Sequence, residues 1–137
     1  MSSTLQPGDS LPSWGVASVP IEKMKLLAAL LRDPNPIHWS HDAVRRDGLG
    51  ERVINQGPIN LCYVTNMLEQ FAGPGCLRHL RARFTSNVME GDEIVAGGVV
   101  TNVVVERGTV VYDCDVWLDI VGGARAVEAT VRIEYLK

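Results

Sequence analysis

The sequence predicts an α+β domain in which a long antiparallel sheet wraps one buried helix. Helical spacing of apolar residues is confined to the first half of the chain and period-two alternation to the second, an order that argues against alternating βαβ units. One segment, between Gln56-Gly-Pro58 and Gly73-Pro-Gly75, is apolar around most of a helical circumference, the mark of a buried helix. The alternating runs are longer than the usual strand of about 5–6 residues.

Taken in order, Ser13 to Val19 is expected as a short opening strand. Pro20 suits the first position of a helix, where its missing N–H costs nothing. Ile21, Met24, Leu27, Ala28 and Leu31 then recur on one apolar face. That helix stops at Asp33-Pro-Asn-Pro36, which two prolines prevent from continuing. Ser40 is placed to cap a short helix that stops at Gly48, and Arg52 to Asn55 reads as extended. Pro58 opens the central helix, which runs to about Ala72 with Ile59, Leu61, Cys62, Val64, Met67, Leu68 and Phe71 around it. Strands follow near Leu77 to Val88, Glu93 to Val105, Thr109 to Ile120 and Ala126 to Leu136. Turns separate the later ones at Glu90-Gly-Asp92, Glu106-Arg-Gly108 and Val121-Gly-Gly123. Val110, Tyr112, Cys114, Val116, Leu118 and Ile120 share one face, while Asp113, Asp115 and Asp119 share the other. Long antiparallel strands curled around one buried helix describe a hot-dog fold, and the length fits a single domain over residues 1–137.

Hydrophobic residues at 46% and charged residues at 21% exclude a disordered or collagen-like chain. A net charge of -3 argues against general nucleic-acid binding, which needs a basic surface. The longest apolar run, Leu26-Leu-Ala-Ala-Leu-Leu31, falls far short of the roughly 20 residues of a membrane span. Met1 to Gly8 has no basic n-region and no apolar h-region, so no signal peptide is expected. Cys62, Cys76 and Cys114 form no CxxC pair; buried, reduced thiols in a cytoplasmic chain are expected rather than disulfides or zinc.

The sharpest local feature is Asp33-Pro-Asn-Pro-Ile-His38, a carboxylate and an imidazole in a stretch stiffened by two prolines. A stiff loop holds side chains in fixed directions, as acid–base chemistry requires. Asn35 can tie the loop to itself. Spacing alone leaves open that Asp33 only caps a turn and that His38 packs locally. Gly57 stands at the start of the central helix, where a backbone N–H is free of the helical ladder and can receive an oxyanion; an ordinary helix-start glycine fits equally.

Asp-x-Asn-Pro-Ile-His followed by Ala43 resembles the signature of the MaoC-like (R)-specific enoyl-CoA hydratases and (3R)-hydroxyacyl thioester dehydratases. The resemblance covers most of the chain, continuing through Gln56-Gly-Pro-Ile-Asn-Leu61, Arg83-Phe84 and Gly91-Asp92. It implies a hot-dog subunit that adds water across the 2,3-double bond of a trans-2-enoyl thioester, or removes it from the 3R-hydroxy product. Asp33 and His38 match the catalytic pair, Gly57 the oxyanion donor, and Asn35 and Gln56 supporting positions. The implied partners are an acyl-CoA or acyl-ACP thioester and a second copy, in a homodimer or higher homo-oligomer, or a related hot-dog chain. No nucleic acid, membrane, metal or cofactor is implied. The chain departs from the pattern at Leu31-Arg32, where a small residue and glycine are usual, at Gln56 in place of histidine, and at Asn87 in place of proline.

Two other functions compete. A hot-dog thioesterase needs a carboxylate on the central helix, where Glu69, near the far end, is the sole acid. A non-catalytic acyl-binding or scaffolding subunit would have no need to keep both Asp33 and His38. Arg81 and Arg83 share a strand face opposite Arg78; they suit the phosphates of coenzyme A or belong to a solvated face. His38, His41 and Asp42 have ligand-like spacing, but no Glu or Cys completes a metal set. Gly97-Gly98 lies inside a strand and is read as a site of curvature or close packing, not as a nucleotide loop. Cys62 is expected as a buried structural thiol.

Overall fold

Period-two alternation becomes a five-stranded antiparallel sheet in the computed structural model, which describes residues 4–137. The start of the Met1 to Gly8 segment, read above as lacking a signal peptide, lies outside the described residues. The strands are β1 (Trp14–Val16), β2 (Leu77–Phe84), β3 (Ile94–Glu106), β4 (Thr109–Ile120) and β5 (Arg125–Glu134), in the spatial order β1-β3-β4-β5-β2. The helices are α1 (Ile21–Leu30), α2 (His41–Arg46) and α3 (Gly57–Ala72), with a single 3₁₀ turn at Pro36–His38. Among the described residues, no helix is long and apolar enough to cross a membrane.

The inner sheet face packs on α3. Ala96 and Val100 of β3, Cys114, Val116 and Leu118 of β4, and Val127, Val131 and Ile133 of β5 are buried with Ile59, Tyr63, Val64, Met67 and Leu68 of the helix. Burying one such large aliphatic side chain contributes about 1.5–3 kcal/mol. Gly98 lies within this layer where the N-terminal segment runs antiparallel alongside β3, Ser10 pairing with Val99. Leu11 N–H donates to the Gly98 carbonyl at 2.9 Å, and a Cβ on Gly98 would come within 2.9 Å of Leu11 Cδ1 and Val116 Cγ1. Gly97, on the outer face, lies under the indole of Trp117.

Three sequence expectations need correction. β1 and β2 are shorter than expected. The Thr85 N–H still meets the Ala126 carbonyl of β5, but beyond it the chain leaves β5 and crosses to Ile54 and Asn55, which end β2 at Phe84 by taking Met89 and Val88 as partners. Next, the sheet wraps α3 as expected but leaves one strip of the helix open: Cys62, Asn66 and Glu69 are exposed and Leu61 is half-buried. Cys62 is therefore an exposed thiol, whereas Cys76 and Cys114 are buried.

Burial pushes the Cys114 thiol up to about 12, with Asp113 and Asp115 adding to the rise; burial and then Glu69 raise Cys76. The thiolate is the reactive form, so both are inert near neutral pH. In a Cys62→Ser variant, no thiol is expected to react with Ellman's reagent before unfolding and two are expected to react after it. Reaction of either buried thiol in the native protein would contradict the packing described here.

Candidate active site

The loop that carries Asp33 starts from a strained helix end. Arg32 follows the last residues of α1 in the left-handed region, with φ of 51°. There its N–H donates to the Ala29 carbonyl at 3.3 Å, and the Asp33 N–H donates to the Ala28 carbonyl at 2.9 Å. This pattern closes the helix where glycine is usually found, so the departure at Leu31-Arg32 noted above leaves a side-chain-bearing residue in a strained backbone region.

Two consecutive side-chain turns then fix the loop. Asp33 Oδ1 accepts the Asn35 N–H at 3.0 Å, and Asn35 Oδ1 accepts the Ile37 N–H at 3.3 Å, capping the 3₁₀ turn that Pro36 opens. The turn presents His38 to two neighbours. Its Nδ1 lies 2.7 Å from the carbonyl oxygen of Ile54, and its Nε2 lies 3.5 Å from Asp33 Oδ2. A carbonyl oxygen only accepts, so Nδ1 carries a proton and Nε2 of the neutral ring offers a lone pair towards Asp33. A lone pair facing a carboxylate is repulsive unless a proton resides on one of them or a water O–H lies between. The side chains are 14% and 29% exposed, buried enough to be directed and open enough to meet a ligand. Asp33 also borders a groove of about 310 Å³ with Lys25, Ala28, Ala29 and Trp39.

Ile54 is held by backbone bonds on two sides. Its N–H donates to the Ile37 carbonyl at 3.0 Å, and it pairs with Met89 in an antiparallel bridge. Just beyond it lie three buried polar side chains. Asn55 Nδ2 donates to Asn60 Oδ1 at 2.7 Å, and Gln56 Nε2 donates to the Met24 carbonyl of α1 at 2.9 Å. Gln56 thereby ties α1 to the start of α3. Burial raises the nearby Tyr63 phenol, with Asn55 lowering it in part.

Gly57 is the first residue of α3, and its N–H is free of the helical ladder. The ring of Phe84 packs directly on it: a Cβ at Gly57 would lie 3.1 Å from Phe84 Cζ. Phe84 is 51% exposed, an unusually open position for a large aromatic side chain. Its contact with Gly57 was not legible from spacing, because it joins the end of β2 to the start of α3. Arg81 and Arg83 lie elsewhere. They project from the outer sheet face, where Arg83 pairs with Glu128 at 2.8 Å and both border a concavity of about 560 Å³ with Trp117, Arg125, Asp115 and Thr130. The structure does not bring them to Asp33 and His38. Among the described residues, no three His, Cys, Asp or Glu side chains come together as a metal site, and His41 instead pairs with Glu90.

Solved structures with this architecture are numerous. An (R)-hydratase from A. caviae involved in PHA biosynthesis superposes with a TM-score of 0.80 at 23% identity, over 98% of this chain and 100% of the other. R-hydratase PhaJ1 from Pseudomonas aeruginosa gives 0.79 at 21% identity, over 97% and 83%. A chain of the ChsH1-ChsH2 complex from Mycobacterium tuberculosis gives 0.78 at 19% identity, over 97% and 100%. The chain has their hot-dog fold. No protein-family model matches the sequence, and no curated protein matches it significantly.

The left-handed Arg32 yields a stability test. An L-residue there costs about 1–2 kcal/mol, of which glycine returns part to unfolded-chain entropy. Arg32→Gly is therefore expected to stabilise the hot-dog domain by up to about 1 kcal/mol, raising the urea midpoint at unchanged m-value. A lower midpoint would contradict this reading of the helix end.

Proposed function

We propose that this protein hydrates trans-2-enoyl thioesters to (3R)-3-hydroxyacyl thioesters, or catalyses the reverse dehydration, with Asp33 and His38 as the acid–base pair. The observation that carries the reading is the His38 geometry: Nδ1 is committed to the Ile54 carbonyl, which leaves Nε2 3.5 Å from Asp33. The Asp33-Pro-Asn-Pro-Ile-His38 signature and the fold shared with two (R)-hydratases support it.

In the hydration direction, a water oxygen bonds to C3 as one of its protons passes to the Asp33/His38 pair. The electrons of the 2,3-double bond move toward the thioester carbonyl, and C2 then takes a proton from the pair. Atoms balance with no further reactant. Negative charge builds on the thioester oxygen, and in this reading the Gly57 N–H, at the positive end of α3, receives it. Asn35 holds the loop in shape, and Gln56 fixes the distance between α1 and α3. The acyl carrier in this reading is coenzyme A or an acyl carrier protein.

A second subunit belongs to the same reading. The open side of α3, the free edge of β2 and the half-exposed Phe84 beside Gly57 are what a second copy, or a related hot-dog chain, would cover. The thioesterase alternative finds no support, because Glu69 accepts the Gly75 N–H at the far end of α3.

The test is spectroscopic. Crotonyl-CoA and a longer enoyl-CoA are offered, and loss of the enoyl absorbance and product stereochemistry are followed. Wild type is expected to give the 3R product. Asp33→Asn and His38→Ala are each expected to lower kcat by about 10²–10⁴-fold, the usual worth of a positioned acid or base. Failure to hydrate any enoyl thioester, or full activity in both variants, would overturn the proposal. Release of free CoA would point to the thioesterase instead.

A further inference from the structure

We infer that Glu90 and His41 form a positioning pair that holds the His38 imidazole in its working tautomer and direction, an inference that rests on the hydration reading above. His41 Nε2 lies 2.5 Å from Glu90 Oε1, across 49 residues of sequence. His41 opens α2, three residues after His38. Glu90 sits on the turn that holds the Ile54 peptide: Asn55 N–H donates to the Val88 carbonyl at 2.7 Å, and Glu90 N–H to the Val53 carbonyl at 3.0 Å.

These contacts close a ring. His38 donates to Ile54, Ile54 pairs with Met89, Glu90 next to Met89 grips His41, and the backbone returns from His41 to His38. Every link but one is made by the backbone or by His38 itself. The Glu90–His41 pair is the side-chain link; without it the 3₁₀ turn keeps its backbone bond from the Ile54 N–H to the Ile37 carbonyl at 3.0 Å, but the start of α2 loses its tie to the Met89–Glu90 turn and the His38 ring is held less closely on the Ile54 carbonyl. Arg52 braces the same turn, bonding the Glu90 carbonyl at 3.2 Å and Asp92 Oδ1 at 2.6 Å. The turn is further tied to the start of α1, where Val19 N–H donates to the Asp92 carbonyl at 2.9 Å. An exposed salt bridge is usually worth little for stability. This one is partly buried on the Glu90 side, at 20% exposure against 44% for His41, and its effect falls on geometry, to which acid–base catalysis is far more sensitive.

The pair is tested with Glu90→Ala, His41→Ala and Glu90→Gln in the intact chain. Glutamine is included because its amide oxygen still accepts from the His41 ring. In both alanine variants kcat is expected to fall by about tenfold to a hundredfold with KM within about twofold, and Glu90→Gln to recover most of it. Nitrogen-15 spectra of the imidazoles give a readout independent of turnover. Wild-type His38 is expected to show a protonated Nδ1 and an unprotonated Nε2, and the alanine variants a mixture of tautomers. An unchanged His38 spectrum in folded Glu90→Ala and His41→Ala protein would overturn the inference, as would losses of kcat that only follow the unfolded fraction. If wild type hydrates no enoyl thioester, the spectra alone decide the positioning role, and the hydration reading is what fails.

Discussion

A hydrogen bond of 2.7 Å joins His38 Nδ1 to the carbonyl oxygen of Ile54, and much of the first half of the chain is arranged around that carbonyl. Because the carbonyl only accepts, the bond determines where the imidazole proton resides and turns Nε2 towards Asp33. The prolines and side-chain turns of residues 33–38 orient the ring from one side. The bridge between Ile54 and Met89 fixes the acceptor from the other. The sheet and α3 supply the rigid body on which these two short segments meet.

That arrangement carries local costs. Arg32 adopts a backbone region that L-residues avoid, directly before Asp33. Asn55, Gln56 and Asn60 are buried, and an unmatched buried polar group costs about 1–3 kcal/mol. Their hydrogen bonds to one another and to Met24 offset part of this and fix the start of α3 relative to α1, while Asn55 Oδ1 and Gln56 Oε1 are buried without a protein partner. Arg107, in the turn between β3 and β4, shares the backbone region of Arg32, but only at Arg32 does it stand beside a cluster of buried polar side chains, while the sheet core is almost wholly apolar.

Much of the fold was legible in the sequence because its signals are periodic. Alternation located β3, β4 and β5 nearly to the residue, and Pro58 with Gly73 bracketed α3. The loop of Asp33, Asn35 and His38 was legible because proline and short polar side chains act over a few residues. What failed was long-range. The central helix is buried by the sheet as its apolar residues imply, but hydrophobicity does not say which strip is left open, and the Cys62 side of α3 is exposed. Alternation put Arg81 and Arg83 on one face together; only the fold shows that this face lies across the sheet from His38. The contacts of Gly57 with Phe84 and of His41 with Glu90 join segments many residues apart, and no local pattern announces either.

The most direct test of the proposed site is a crystal structure of the Asp33→Asn variant with an unreacted trans-2-enoyl thioester bound. C3 is expected within about 3–3.5 Å of a water held between His38 and the substituted side chain, with the thioester oxygen on the Gly57 N–H and His38 Nδ1 still on the Ile54 carbonyl. A thioester seated instead on the outer sheet face, at Trp117 and Arg81, would contradict the site and the chemistry built on it.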